Sequence, residues 1–127
     1  MTPENHSKVV TLMQAYFDGL HHADSTRLRA VFHPNLAYIC ATKGDELYLD
    51  LDTYMQRVDA RVPPVERGDP REEDILEIAF AGPNLARVTA RMSMMGRDFL
   101  DLLTLTHDGA EWRIITKVFS YTPRKDG

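Results

Sequence analysis

Apolar side chains recur every three or four positions through the first sixty residues and alternate through the last fifty, so the pattern predicts helices first and strands last. From Ser7, the expected N-cap, to residue 22, Val9, Val10, Leu12, Met13, Tyr16, Phe17 and Leu20 paint one broad helical stripe. Asp24 is placed to cap a second, short helix carrying Leu28, Val31 and Phe32. That helix ends about Phe32, because Pro34 pushes His33 out of helical geometry. Leu36 to Thr42 reads as a strand, and the turn Lys43-Gly44-Asp45-Glu46 leads to a short partner at Leu47 to Leu49. Asp50 opens a third helix with Leu51, Tyr54, Met55 and Val58 on one side and Asp52, Gln56, Arg57 and Arg61 on the other, stopped by Pro63-Pro64. Val62 to Glu73 is proline-rich and charged, an exposed loop. Four strands follow: Asp74 to Ala81, Leu85 to Met95, Arg97 to His107 and Trp112 to Tyr121. Gly82-Pro83-Asn84, Gly96 and Asp108-Gly109 separate them, and turns this short make neighbours antiparallel.

Alternation assigns core faces. Leu76, Ile78 and Phe80 form one, and Ala86, Val88, Ala90, Met92 and Met94 form the next. The last hairpin is apolar on both sides. Phe99, Leu100, Leu102, Leu103 and Leu105 fill the third strand, and Trp112, Ile114 and Val118 are backed by Ile115, Phe119 and Tyr121. The helices hide one face, and the economical cover for the other is a second subunit, a homodimer through the outer sheet face. Asp101 and Lys117 interrupt this hairpin. If the register puts them on one face, they form an ion pair at the wall of a cavity; otherwise each meets solvent at an edge or holds the dimer. A slip of one residue exchanges these outcomes.

Composition narrows the class. With 127 residues, 43% hydrophobic and 27% charged, the chain reads as one soluble domain over 1–127, with its core from about 7 to 121. No run is apolar enough to span a membrane, and the N-terminus MTPENHSK has no signal-peptide pattern, so the expected location is the cytoplasm. The net charge of −4 and the scattered basic residues exclude a nucleic-acid role. Cys40, the single cysteine, reads as core packing and makes no disulfide.

Several residues offer chemistry. His33, at the mouth of the first strand, is placed either as an acid–base group or as a cap donating to the end of the second helix. His21 and His22 are adjacent and diverge on a helix, so no metal site is expected. Tyr16, Tyr38, Tyr48 and Tyr54 join an apolar body to a hydrogen-bonding tip, and Met92, Met94 and Met95 give an adaptable surface. Asp50 and Asp52 are explained by helix capping.

The order of elements, with YFDGLHHAD at Tyr16 to Asp24, FHPN at Phe32 to Asn35, GDPREEDIL at Gly68 to Leu76, and DFLDLLTL followed by DGAEWRIITKVF from Asp98 to Phe119, resembles the nuclear transport factor 2-like superfamily. Within it the chain resembles the "putative lumazine-binding" branch of small bacterial proteins. The resemblance implies an α+β, cystatin-like cone: a curved antiparallel sheet with three helices of the N-terminal half packed on its concave face, assembled as a homodimer. The superfamily holds ketosteroid-isomerase-like and polyketide-cyclase-like (SnoaL-like) enzymes, dehydratases and non-catalytic binders, so the fold does not choose among them. The leading expectation is a hydrophobic pocket for a small organic molecule with no cofactor, framed by Tyr16, His33, Tyr38, Tyr54, Asp101 and Lys117. The alternatives are an isomerase, cyclase or dehydratase in which Asp101 or His33 moves a proton while Lys117 or a tyrosine steadies the oxyanion, and a protein-interaction module with a filled cone.

Overall fold

The computed structural model describes residues 2–124. Helix α1 (Pro3–His21) begins a turn earlier than Ser7: Thr2 is the N-cap, its hydroxyl accepting from the Asn5 amide at 3.1 Å. Pro3 lacks only an N–H that the first turn would leave unpaired, so it starts the helix at no cost. Helix α2 (Ser25–Val31) is capped by Asp24, which accepts from the Arg27 amide at 3.1 Å. The two helices meet closely at Gly19, where an added Cβ would lie 2.7 Å from Leu28 Cδ2.

Strand β1 (Phe32–Cys40) follows α2 without a loop and starts earlier than Leu36. His33, Pro34 and Asn35 fall in a pairing irregularity between Phe32 and Ala37. Strand β2 (Leu47–Leu49) pairs with β1, and helix α3 (Leu51–Ala60) is capped by Asp50, which accepts from the Thr53 amide at 2.9 Å. The expected loop contains a single helical turn, α4 (Pro64–Arg67), opened by Pro64 and closed by Gly68 in the left-handed region. The remaining strands are β3 (Glu72–Phe80), β4 (Leu85–Met94), β5 (Arg97–His107) and β6 (Trp112–Pro123).

The sheet order is β2-β1-β6-β5-β4-β3. Its tight-turn neighbours are antiparallel, but β1 and β6 run parallel, so the sheet is mixed where an antiparallel one was expected. No short turn joins β1 to β6, and the chain between them is long enough to return in either direction. The curled sheet and the helices over its inner face make an α+β cone. Its core includes Met13, Tyr16, Leu28, Phe32, Leu36, Met55, Leu103 and Ile114, all fully buried.

Two β-bulges correct the expected faces. Ile75 pairs with Ala90 and Glu77 with Thr89, so Leu76 is an extra residue; it is 53% exposed, and Ile75, Ile78 and Phe80 pack on the core instead. On β6, Ile114 pairs with Leu105 and Thr116 with Thr104, leaving Ile115 unpaired. The inward sequence therefore changes from Trp112 and Ile114 to Lys117 and Phe119, and Val118 turns to the outer face, away from the Trp112–Ile114 face assigned to it by alternation. Leu100 and Leu102 face outward at 47% and 49% exposure. Among the described residues no helix is long and apolar enough to cross a membrane.

Candidate functional site

The inner faces of β1, β4, β5 and β6, together with α3, enclose a cavity of about 390 Å³. Tyr38, Phe99 and Phe119 supply aromatic walls, Met92, Met94 and Met95 an adaptable one, and Tyr54, Asp101 and Lys117 the buried polar groups. Arg57, Arg61 and Arg97 complete the lining toward solvent.

Strand register explains the polar groups. On β5 the odd-numbered residues from Phe99 to Leu105 point inward; Asp101 lies opposite Phe119, and Leu103 opposite Lys117. The Ile115 bulge puts Lys117 on that same face, so Asp101 and Lys117 are diagonal neighbours. They are 1% and 5% exposed.

The two charges make no direct ion pair; each meets a phenol. The Tyr16 hydroxyl, reaching in from α1, donates to Asp101 Oδ2 at 2.6 Å. Lys117 Nζ donates to the Tyr54 oxygen at 3.1 Å. The ammonium lies 5.1 Å from the ring centroid of Tyr16, 5.2 Å from Tyr54, 5.4 Å from Phe119 and 5.6 Å from Tyr38, an aromatic cage that partly replaces its hydration. Asp101 Oδ1 is buried with no hydrogen-bond partner among the described residues. Leaving a buried acceptor unpaired costs about 1–3 kcal/mol.

Burial works against the Lys117 ammonium, but Tyr54, Asp101 and Tyr38 outweigh it and hold its pKa above the ordinary lysine value. Burial, reinforced by Asp101, holds the Tyr16 phenol well above its ordinary value, and burial pushes Tyr38 up to about 12 against the pull of Lys117. At neutral pH the site therefore presents protonated phenols at Tyr16 and Tyr38 and a charged lysine.

Of the residues singled out from sequence, Tyr38, Tyr54, Asp101 and Lys117 line the cavity, and Tyr16 supports Asp101 from behind. His33 is not brought to it: its Nδ1 accepts from the Asn35 amide at 2.9 Å, a local turn at the start of β1. It acts as an acceptor there, where a cap donating to α2 was the structural expectation. Tyr48 points outward, 65% exposed. The lining arginines were not foreseen, although Arg57 and Arg61 stand at i and i+4, a like-charge spacing that a helix disfavours without another use for it. Among the described residues no group of three His, Cys, Asp or Glu side chains could hold a metal ion.

A family model described as "Putative lumazine-binding" matches residues 4–120. No curated protein matches the chain. Among solved structures, a nuclear transport factor 2-like protein of unknown function from Shewanella baltica OS155 is similar, with a TM-score of 0.84 and 20% identity, over 97% of this chain and 98% of that one. A cystatin-like fold protein from Burkholderia xenovorans LB400 matches with a TM-score of 0.74 and 14% identity, over 96% and 95% of the two chains. A ketosteroid isomerase-like protein from Erwinia carotovora atroseptica SCRI1043 matches with a TM-score of 0.73 and 12% identity, over 96% and 100%. At such identities the likeness is one of fold.

Proposed function

The chain belongs to the "Putative lumazine-binding" family of the nuclear transport factor 2-like superfamily, and from that premise we propose that its cavity binds one small planar organic molecule, with no reaction required. The observation that carries this reading is the unpartnered Asp101 Oδ1 beside the Lys117 ammonium, with Lys117 using one of its three N–H groups on Tyr54. A ligand edge with an N–H next to a carbonyl satisfies both, and the imide edge of a lumazine ring has that order. Tyr38, Phe119 and the methionines give the flat ring an apolar berth.

Fluorescence titration with lumazine tests this. Saturable one-to-one binding that Asp101→Leu weakens at least about tenfold supports the reading, since an anchor lost from a buried site leaves its partner unpaired. Absence of saturable binding contradicts it.

The same pair supports a second reading, in which Asp101 moves a proton beside a carbonyl polarised by Lys117. Proton NMR of 6,7-dimethyllumazine in D2O separates the two. Methyl exchange faster than in buffer favours chemistry, and an unchanged rate favours binding alone.

The proposal keeps a second copy of the chain over the outer sheet face, because Leu76, Leu100 and Leu102 are about half exposed there. A monomeric mass by light scattering at micromolar concentration contradicts that part. It also keeps a cytoplasmic location and no nucleic-acid partner, both resting on sequence and on the net charge of −4.

A further inference from the structure

Among the described residues, every arginine except three forms an ion pair with a carboxylate. The three are Arg57, Arg61 and Arg97, and all of them line the cavity. Elsewhere this acidic chain neutralises its guanidinium groups; at the cavity it leaves them open. Counting Lys117, four cations line the cavity against two carboxylates, Asp45 and Asp101, on a chain whose net charge is −4. Asp45 is already engaged, accepting from the Tyr121 hydroxyl. The cavity is thus opposite in sign to the chain as a whole, which draws an anion toward it.

A purely structural account covers part of this. Arg57 lies in the last turn of α3 and Arg61 is its C-cap, where the helix dipole favours positive charge. It does not reach Arg97, which comes from the start of β5 and stacks over the Tyr121 ring, 4.2 Å from guanidinium carbon to ring centroid. Stacking fixes the plane of that guanidinium and leaves its edge donors available. Two separate elements therefore bring unpaired, planar donors to one opening. An arginine fork fits a carboxylate, which takes two parallel N–H donors.

Building on the binding reading above, we infer that the natural ligand is an organic acid: a planar ring anchored at Asp101 and Lys117, carrying a carboxylate that the three arginines receive. The cavity is then polar at both ends and apolar between. The ring fixes the orientation, and the acid selects among molecules that share the ring.

The test compares lumazine with lumazine-6-carboxylate, which share the ring and its imide edge. Fluorescence titration at low salt is expected to show the carboxylate binding at least about tenfold tighter, the scale of one charge-assisted contact. The preference shrinks in about 0.5 M salt, where screening acts over only a few ångströms. The double variant Arg57→Gln/Arg61→Gln reduces the preference, and adding Arg97→Gln abolishes it. Arg87→Gln, whose partner Glu77 lies away from the cavity, retains it. If lumazine binds and the carboxylate binds no tighter, the inference falls and the binding reading stands. If neither binds, the binding reading falls and takes the inference with it.

Discussion

Replacing Tyr16 with Phe removes one oxygen from the middle of the molecule and little else. The ring is fully buried, packed edge-on to Phe32 at 5.9 Å and tilted against Phe17 at 5.6 Å, and Phe keeps that shape. What disappears is the 2.6 Å donation to Asp101 Oδ2, while Oδ1 already lacks a partner. The variant thus leaves a buried carboxyl group with neither oxygen paired. A hydrogen bond to a charged group contributes about 1.5–3 kcal/mol, so a loss near 2 kcal/mol is expected. At this chain length 1 kcal/mol moves Tm by roughly 3–6 °C, giving a fall of about 6–12 °C. Scanning calorimetry, with urea unfolding as the companion measurement, reads both numbers. Tyr38→Phe is the control: its hydroxyl makes no hydrogen bond among the described residues, and its loss costs less than about 0.5 kcal/mol. Equal Tm values for wild type and Tyr16→Phe would refute the assignment of Tyr16 as the group that holds Asp101 in the core.

Lys117→Met tests the caged ammonium through pH. The folded pKa of Lys117 is raised, so its contribution is whole below the unfolded value of about 10.4 and is lost as pH climbs through the folded value. The gap in urea midpoint between wild type and variant is expected to stay constant from about pH 6 to pH 9 and to shrink above about 10.4; a gap that closes on the acid side would contradict this. Deleting Ile115 removes the bulge and leaves only Thr116 between Ile114 and Lys117, so a regular strand keeps Lys117 and Phe119 on the inner face. That variant is expected to keep cooperative thermal unfolding and lumazine binding. One alanine inserted between Thr116 and Lys117 instead turns Lys117 and Phe119 outward and is expected to abolish one or the other; an insertion variant retaining both would show that register does not set the facing.

Much of the fold was legible because its signals are local. The stripe from Val9 to Leu20, the caps at Asp24 and Asp50, and the turns at Gly96 and Asp108-Gly109 each depend on neighbouring residues, and the structure places them where the pattern does. Thr2 was missed as a cap because it precedes the apolar stripe, which begins only at Val9. Parity across the sheet was not legible. The extra residues Leu76 and Ile115 are apolar and β-favouring, so nothing in them announces a bulge; their neighbours' pairing creates it. The parallel contact of β1 with β6 joins distant stretches that carry no mutual signal.

The candidate site divides the same way. Asp101 and Lys117 stood out as charges in an apolar hairpin, but only register could say that they share a face. The phenols that receive them, Tyr16 and Tyr54, come from helices far away in sequence. His33 was attractive for its position beside Pro34, yet the same proline-bent start of β1 turns its ring to the Asn35 amide. Arg57 and Arg61 read as an ordinary polar helix face, and only the folded chain brings them to the same cavity as Arg97.

The central claim is that the Asp101–Lys117 corner of the cavity receives a planar ligand edge. A crystal structure of the protein with lumazine reads it directly. The account predicts the ring inside the cavity, stacked against Tyr38 or Phe119, with an N–H within about 3 Å of Asp101 Oδ1 and a carbonyl oxygen facing Lys117 Nζ. A ring lying on the outer face of the sheet, or a cavity filled by side chains with Asp101 Oδ1 paired inside the protein, would contradict it.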